Sequence, residues 1–371
     1  MTKENQGTWD TQTQTFHGGQ DWKFCEVFVE DFSVTTNGLG TPAKAKAAAA
    51  AAVDKICHYP PSDFEPAISD LSQLLWVDNE KAAACKPLML LGNGASELID
   101  LVIRQAKPGS WRPGPQKTQY KEYQRSAEAA GFSEVSSDDR GASLMCLVNP
   151  TNPTGDYWSV PEVKAHIETT CAPDTTVIVD ESMQPWLGAH WRDDSLIQER
   201  EWARKLSEEK RIHVWIMTSW TKIWSCTGVR LGSVVAPTLE LAQAVKRKQV
   251  PWSVNVMALE FLSEVVKDTE YMEKTWALTT TWNKETRAEL TAQHPGWEIF
   301  GKDFLSWLWI DTKDAAVSAQ ACKLAKAAGV PLRSGAPGYN LPTFFRTAVR
   351  SKEQRQVRHL TCPEPRWRLL C

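Results

Sequence analysis

A lysine flanked by a serine, a glycine and an arginine is the first arrangement in this chain that could do chemistry. Lys222 follows the mostly apolar run 214–219, and Gly228 and Arg230 come six and eight positions after it. A lysine amine at the end of a buried strand can form an imine with an aldehyde. Ser219 and Arg230 could bind a phosphate of the same ligand. The segment therefore predicts a site for a cofactor that carries both an aldehyde and a phosphate.

A second feature suited to phosphate lies near the start of a helical pattern. Gly94, Ala95 and Ser96 follow the apolar run 88–91 and precede a segment with apolar residues at helical spacing. The first N–H groups of a helix and the positive end of its dipole attract anions. The same residues could also form an ordinary turn between a strand and a helix. Because the lysine segment already predicts a cofactor with a phosphate, the anion site is the favoured interpretation of these residues.

Two further polar residues follow strand-like runs. Asn152 lies in the string N-P-T-N-P-T-G at 149–155, where the prolines predict a rigid turn that could present the amide to a ring hydroxyl. Asp180 ends the β-branched run 176–179 and could pair with a protonated pyridine nitrogen. The alternatives are a plain turn for Asn152, and a helix N-cap or a surface charge for Asp180.

An aromatic residue and an arginine complete the set of candidates. Tyr120 could stack on a flat ring, although an aromatic residue at this spacing could equally belong to the core. Arg346 interrupts the apolar run 344–349, which predicts a strand. A guanidinium there would bind a carboxylate or a phosphate through two parallel hydrogen bonds.

Short apolar strands alternate with helical segments along most of the chain, which predicts an α/β fold. The sheet is expected to be mostly parallel, with helices on both faces. In such sheets ligands bind at the carboxyl ends of the strands, where each candidate of the larger domain lies. Ser159 and Glu162 have the spacing of a capping box, residues 43–56 are expected to form a helix, and residues 111–115 a loop.

Composition excludes several classes of function. The 371 residues carry a net charge of −3 with dispersed charges, which argues against nucleic-acid binding. No apolar run approaches the ~20 residues of a membrane span. The seven histidines show no metal-binding spacing, so no metal site is expected. The nine cysteines are odd in number and include no C-x-x-C pair, which predicts a reducing compartment, the cytoplasm.

These motifs, in this order, resemble the class I/II (fold-type I) aminotransferase superfamily, whose cofactor is pyridoxal 5'-phosphate. The resemblance covers residues 15–360. Within the superfamily, two families are similar: histidinol-phosphate aminotransferase and L-threonine-O-3-phosphate decarboxylase. The opening His17-Gly18-Gly19, the loop 219–232 and the string P-W-S-V-N at 251–255 look like the decarboxylase.

The resemblance implies an architecture and a role for each candidate. The large cofactor-binding domain would span 40–255, with a smaller α+β domain built from 1–39 and 256–371. The protein would be a homodimer in which Tyr59 reaches the cofactor phosphate of the neighbouring subunit. Substrate-binding residues would be His17, Arg333 and Arg346. The implied cofactor-binding residues are Gly94, Ala95, Ser96, Tyr120, Asn152, Asp180, Ser219, Lys222 and Arg230.

The reaction is left open by the residues. Where aminotransferases commonly carry D-E-A-Y, this chain has Asp180-Glu181-Ser182-Met183, so a tyrosine hydroxyl is missing beside the ring. We expect an external aldimine with an anionic, phosphorylated amino acid, followed by decarboxylation. Transamination of such a substrate is the alternative, and a non-catalytic binding protein on the same scaffold is a third. Lys222, Asp180, Asn152 and Arg230 together argue against the third, because each could bind part of the cofactor.

Overall fold

The computed structural model describes residues 17–355, which fall into two compact units. The larger unit comprises Leu39–Asn152 and Asp156–Trp276. The smaller unit comprises Pro153–Gly155 and, among the described residues, 17–38 and 277–355. The domain boundaries expected from the resemblance stay a prediction, and their outermost parts, 1–16 and 356–371, lie outside the described residues.

The larger unit is built on a seven-stranded, mostly parallel sheet, as the sequence predicts. The strand order is β1-β7-β6-β5-β4-β2-β3, and β7 alone runs antiparallel to its neighbours β1 and β6. The strands are β1 (Met89–Asn93), β2 (Ser110–Pro113), β3 (Ser133–Glu134), β4 (Leu144–Val148), β5 (Thr176–Asp180), β6 (His213–Ser219) and β7 (Leu231–Val235). Strands β4 and β5 are buried throughout, which explains their continuous apolar sequence.

Helices connect these strands, and their apolar residues face the core of the unit. In α4, for example, Leu98, Ile99, Val102 and Ile103 recur at helical spacing and are fully buried. The helices that begin in this unit are α1 (Ala43–Ala51), α2 (Ala67–Trp76), α3 (Asn79–Cys85), α4 (Ala95–Ile103), α5 (Glu122–Ala129), α6 (Val160–Thr170), α7 (Arg200–Lys210), α8 (Leu239–Lys246), α9 (Val256–Val265) and α10 (Thr269–Gln293). The capping box predicted at Ser159 and Glu162 is confirmed at the start of α6.

Two local expectations need correction. Residues 111–115 are not all loop, because β2 includes Trp111, Arg112 and Pro113 and pairs with β4. The Arg112 side chain is buried, but it donates hydrogen bonds to the carbonyls of Ser137 and Thr170, which offsets the loss of water. The alanine-rich α-helix ends at Ala51, and a short 3₁₀ turn continues it to Lys55.

The smaller unit contains a four-stranded antiparallel sheet in the order β10-β11-β9-β8. Its strands are β8 (Glu298–Phe300), β9 (Trp307–Asp311), β10 (Arg333–Ser334) and β11 (Phe344–Ala348), and α11 (Ala315–Ala327) packs with them. Its core includes Phe32, Leu308, Ile310 and Phe345. The strand predicted around Arg346 is confirmed as β11.

Across residues 17–355, no helix has the length and apolar character needed to cross a membrane. The same residues contain no group of three or more side chains that could hold a metal ion.

Candidate active site

Lys222 lies in a tight turn directly after β6. Its Nζ donates to Thr221 Oγ1 at 3.0 Å, and its carbonyl accepts from the backbone N–H of Ser225 at 3.1 Å. The rings of Trp220 and Trp224 stack 5.0 Å apart on this turn, and both are almost completely buried. Two large rings packed in this way hold the backbone on either side of the lysine.

The turn borders a cavity that brings most of the predicted residues together. Eight of them line it, contributed by the ends of strands β5 and β6, the start of α4 and the loops nearby. They are Ala95, Ser96, Tyr120, Asn152, Asp180, Ser219, Lys222 and Arg230. Val148, Ser182 and Met183 complete the lining. All eleven residues belong to the larger unit.

Asp180 presents a buried carboxylate at the carboxyl end of β5. It accepts hydrogen bonds from the Tyr123 hydroxyl at 2.9 Å and from the Ser182 N–H at 2.8 Å. Burial raises the pKa of Asp180, while these two hydrogen bonds and the positive charge of Lys222 oppose the rise. A carboxylate desolvated in this way would be stabilised by a cationic ring nitrogen.

Tyr123 is a residue that the sequence reasoning missed. The sequence predicts Tyr120 instead, which does line the cavity and whose ring meets that of Tyr123 edge-on at 6.2 Å. Tyr123 is fully buried, and burial next to Asp180 raises its pKa well above the usual value for tyrosine. It therefore stays a hydroxyl that donates to Asp180. The pair lies 57 positions apart, and no local pattern announces it.

The start of α4 and Arg230 form the part of the cavity suited to a phosphate. Gly94 precedes the helix with φ of +75° and no side chain caps the first N–H groups. The Arg230 guanidinium lies so close that a Cβ on Gly94 would be 2.1 Å from its Nη2. Ser219 adds a hydroxyl, which is 3.0 Å from Thr221 Oγ1. Open N–H groups, a cation and a hydroxyl together match the needs of a phosphate dianion.

The Asn152 turn is held by hydrogen bonds from its neighbours. The Asn149 amide donates to the carbonyl of Trp158 and accepts from its N–H, both at 2.8 Å. Thr151 Oγ1 donates to the carbonyl of Val148 at 2.8 Å. The rigid turn leaves Asn152 in the wall of the cavity, nine-tenths buried.

Ser182 and Met183, which follow Asp180 in the chain, form the remaining wall. Met183 is buried there, so the chain has a thioether at the position where aminotransferases commonly carry the tyrosine of D-E-A-Y. Ser182 Oγ accepts from the N–H of Ser219 at 2.7 Å, which ties the end of β5 to the end of β6. Sequence reasoning did not single out Ser182, because a serine after a strand is common.

The predicted substrate-binding residues lie in the smaller unit, where they form a cluster of their own. Arg333 and Arg346 are direct partners across β10 and β11, and both are buried. Arg346 Nη2 donates to the carbonyl of Ser33 at 2.5 Å. A Cβ on Gly18 would be 3.3 Å from Arg333 Cδ, so the segment that contains His17 lies beside Arg333. Two arginines at paired positions could bind an anion, and their role in substrate binding stays a prediction.

Tyr59 is not part of the cavity within one chain. Its side chain is 76% exposed and stacks on the ring of Trp252 at 4.3 Å. The expectation that it serves a neighbouring subunit stays a prediction.

Comparisons with known proteins decide the family. The family model for aminotransferase class I and II matches residues 30–361. Histidinol-phosphate aminotransferase 1 of Dechloromonas aromatica is 24% identical over 333 residues, 84% of this chain and 83% of that protein. Threonine-phosphate decarboxylase of Salmonella typhimurium is 27% identical over 268 residues, 66% of this chain and 67% of the relative.

The chain belongs to the class I and II aminotransferase family. It is accordingly a pyridoxal-phosphate-dependent enzyme, as the sequence analysis expects. Among solved structures, histidinol-phosphate aminotransferase from Sinorhizobium meliloti in complex with pyridoxal-5'-phosphate has the same fold, with a TM-score of 0.74. That similarity covers 97% of both chains at 17% identity. The buried carboxylate, the lysine and the phosphate-binding elements of the cavity fit this cofactor.

Proposed function

We propose that this family member decarboxylates a phosphorylated or similarly anionic amino acid. The observation that carries the proposed substrate class is the pairing of Arg333 with Arg346 on neighbouring strands. Two adjacent buried guanidiniums suit a substrate with two anionic groups, a carboxylate and a phosphate. Threonine-phosphate decarboxylase of Salmonella typhimurium, to which the chain is 27% identical, supports the same substrate class.

The residues of the cavity would hold the cofactor in the following way. Lys222 would bind its aldehyde, Asp180 its ring nitrogen and Asn152 its ring hydroxyl, with Tyr120 against the ring face. The phosphate would be bound by the start of α4, with Gly94, Ala95 and Ser96, and by Ser219 and Arg230. When bound, the cofactor supplies an electron sink for bonds at the substrate Cα.

The chain's own groups would then decide the reaction. Asp180, whose negative charge is stabilised by hydrogen bonds from the Tyr123 hydroxyl and the Ser182 N–H, would hold a proton on the ring nitrogen. Arg346 would hold the substrate carboxylate, and its orientation would determine whether carbon dioxide or a proton leaves. His17 and Arg333 would bind the second anionic group. Met183 leaves the ring hydroxyl without a tyrosine partner at this position. This change is compatible with the proposed decarboxylation.

Transamination is the second candidate, with Lys222 as the base that moves the proton. It is supported by the histidinol-phosphate aminotransferase of Dechloromonas aromatica, which matches 84% of this chain, a larger share than the decarboxylase matches. The substrate class would be the same.

One incubation separates the two reactions. Purified holoenzyme is mixed with O-phospho-L-threonine, with and without 2-oxoglutarate, and both carbon dioxide and glutamate are measured. Carbon dioxide released without the oxo acid is the expected result. Glutamate formed only when the oxo acid is present would replace the proposal with transamination. Neither product would reject this substrate while leaving the family assignment intact.

We also infer a cytoplasmic homodimer. The inference is supported by the exposure of Tyr59, which is expected to serve the neighbouring subunit. The seven cysteines within the described part of the chain form no disulfide, in keeping with a reducing compartment.

A further inference from the structure

A second cavity of about 180 Å³ lies in the larger unit, and its walls are rich in tryptophan. It shares no lining residue with the cavity around Lys222. It is lined by Leu74, Pro185, Trp191, Arg192, Trp220, Ile223, Trp224, Val266, Asp268, Thr269, Met272, Glu273 and Trp276. Trp220 and Trp224 support the Lys222 turn, but none of these residues lines the cavity in which the cofactor is proposed to bind.

The walls of this tryptophan cavity are fixed by contacts among themselves. Trp220 stacks on Trp224 and meets the ring of Trp191 edge-on at 6.5 Å. Trp276 Nε1 donates to the carbonyl of Pro185 at 2.8 Å. Flat rings held at fixed angles favour flat aromatic ligands, which gain both dispersion and edge-to-face contacts.

One cation borders the apolar walls. The Arg192 guanidinium lies 4.9 Å from the centre of the Trp191 ring, and its Nε donates to the carbonyl of Leu74 at 2.6 Å. Its two Nη groups have no hydrogen-bond acceptor among residues 17–355. Burial lowers the pKa of Arg192, and the charge of the neighbouring, exposed Asp193 only partly opposes that fall.

Neither acidic residue of the wall, Asp268 or Glu273, is among the charges that act on Arg192. Asp268 accepts from the N–H of Tyr271 at 3.0 Å and so caps the start of α10. Glu273 is exposed to water. A small anion with an aromatic body would therefore be complementary to the cavity, whereas a dianion would be repelled by the two carboxylates.

We propose that the tryptophan cavity is a second ligand site, which binds a small aromatic monocarboxylate with its ring among the tryptophans and its carboxylate on Arg192. A cavity of roughly 150 Å³ is large enough for benzene, so this one accommodates a single substituted ring. The two free Nη groups match the two oxygens of a carboxylate. Trp220, Ile223 and Trp224 belong to the same turn as Lys222, so the ligand would lie on the reverse side of that turn.

The test compares two ligands of the same shape, 4-fluorobenzoate and 4-fluorobenzamide, by ¹⁹F NMR titration of the holoenzyme. We expect the benzoate to bind saturably with a dissociation constant of about 1 mM or below, as fits a ligand of this size. The neutral amide should bind at least fivefold more weakly. Absence of saturable benzoate binding, or equal binding of both ligands, would overturn the proposal.

Single-residue variants test whether the two ligands bind in the tryptophan cavity. Arg192→Gln should weaken benzoate binding at least fivefold and leave the amide unchanged, while Arg204→Gln, an exposed arginine of α7, should alter neither. Leu74→Trp, which fills the cavity from α2 and keeps the Leu74 carbonyl, should abolish binding of both ligands. If Arg346→Gln removes benzoate binding and Arg192→Gln does not, the carboxylate binds at the substrate cluster and the proposal is wrong. Cofactor absorbance shows that each variant is folded.

Discussion

At the scale of single residues, the attachment of the cofactor should depend on one amine. Lys222 is the lysine that lines the cavity, close enough to Asp180 for its charge to affect that carboxylate. We expect Lys222→Ala to give a folded protein to which borohydride no longer fixes the cofactor, measured by intact mass. Lys246→Ala, at the end of α8, serves as the control and should keep the added mass. Retention of the mass in Lys222→Ala would show that another lysine carries the cofactor.

Tyr123 should matter for activity beyond its share of stability. Tyr123→Phe removes a hydrogen bond to a buried carboxylate, at a cost of about 1.5–3 kcal/mol in the free energy of unfolding. Asp180 then holds its charge less well, so kcat should fall about tenfold, since 1.4 kcal/mol of differential stabilisation corresponds to that factor.

A matched tyrosine separates the two effects of this substitution. Tyr157 donates to Asp194 at 2.5 Å, and neither residue lines the cavity. Tyr157→Phe should lower the free energy of unfolding in urea by a similar amount and leave kcat unchanged. Equal losses of kcat in both variants would mean that Tyr123 acts only through stability.

At the scale of elements, the phosphate-binding end of the cavity depends on how closely β7 approaches α4. A Cβ on Gly232 would lie 2.4 Å from the backbone nitrogen of Ala95. Backbone cannot move aside as a flexible side chain does, so Gly232→Ala should cost about 1–3 kcal/mol in the free energy of unfolding. It should also weaken cofactor binding by displacing the start of α4. Gly228→Ala, where a Cβ meets nothing within 4 Å, is the control for equilibrium dialysis of the cofactor.

The segment that follows β5 should make stability depend on pH. The buried Glu181 carboxylate accepts from the N–H of Leu196 at 2.8 Å and from the Ser195 hydroxyl, and burial raises its pKa to about 7. The folded protein therefore binds a proton more tightly than the unfolded chain does. This contribution to stability is fully present below pH 4.5 and is lost as the pH rises to about 7, by about 3 kcal/mol.

The comparison variant for this titration is Glu181→Gln, which cannot ionise. Free energies of unfolding measured from pH 4.5 to 7.5 should decline more steeply in the wild-type protein than in the variant. Parallel curves would mean that Glu181 does not titrate in this range. Asp180, whose pKa is also raised, contributes a decline of the same sign to both proteins and cancels in the comparison.

Sequence alone predicted the elements whose signals are local. Asp180, Ser219 and the Asn152 turn each follow an apolar run, and parallel strands bring such ends to one edge of a sheet. Strand β2 was missed because its residues, Trp111-Arg112-Pro113, resemble a turn, and the acceptors that let Arg112 be buried lie far along the chain. Contacts such as Tyr123 with Asp180 depend on the assembled fold and leave no trace at short range.

At the scale of the whole molecule, the expected homodimer can be tested with hybrid dimers, because each site would combine residues of both chains. If Tyr59 completes the site of the partner subunit, a hybrid of Tyr59→Ala and Lys222→Ala chains contains one site with both residues intact. The opposite site of that hybrid lacks both.

Co-expression of the two inactive variants should therefore restore activity. Random pairing makes half of the dimers hybrid, each with one complete site, so about a quarter of the wild-type activity is expected at limiting cofactor. Each variant expressed alone should show little activity under the same conditions. If Tyr59 instead serves its own chain, every site in the hybrid lacks either the tyrosine or the lysine, and no activity returns. Size-exclusion chromatography of the mixture confirms that dimers are present when activity is measured.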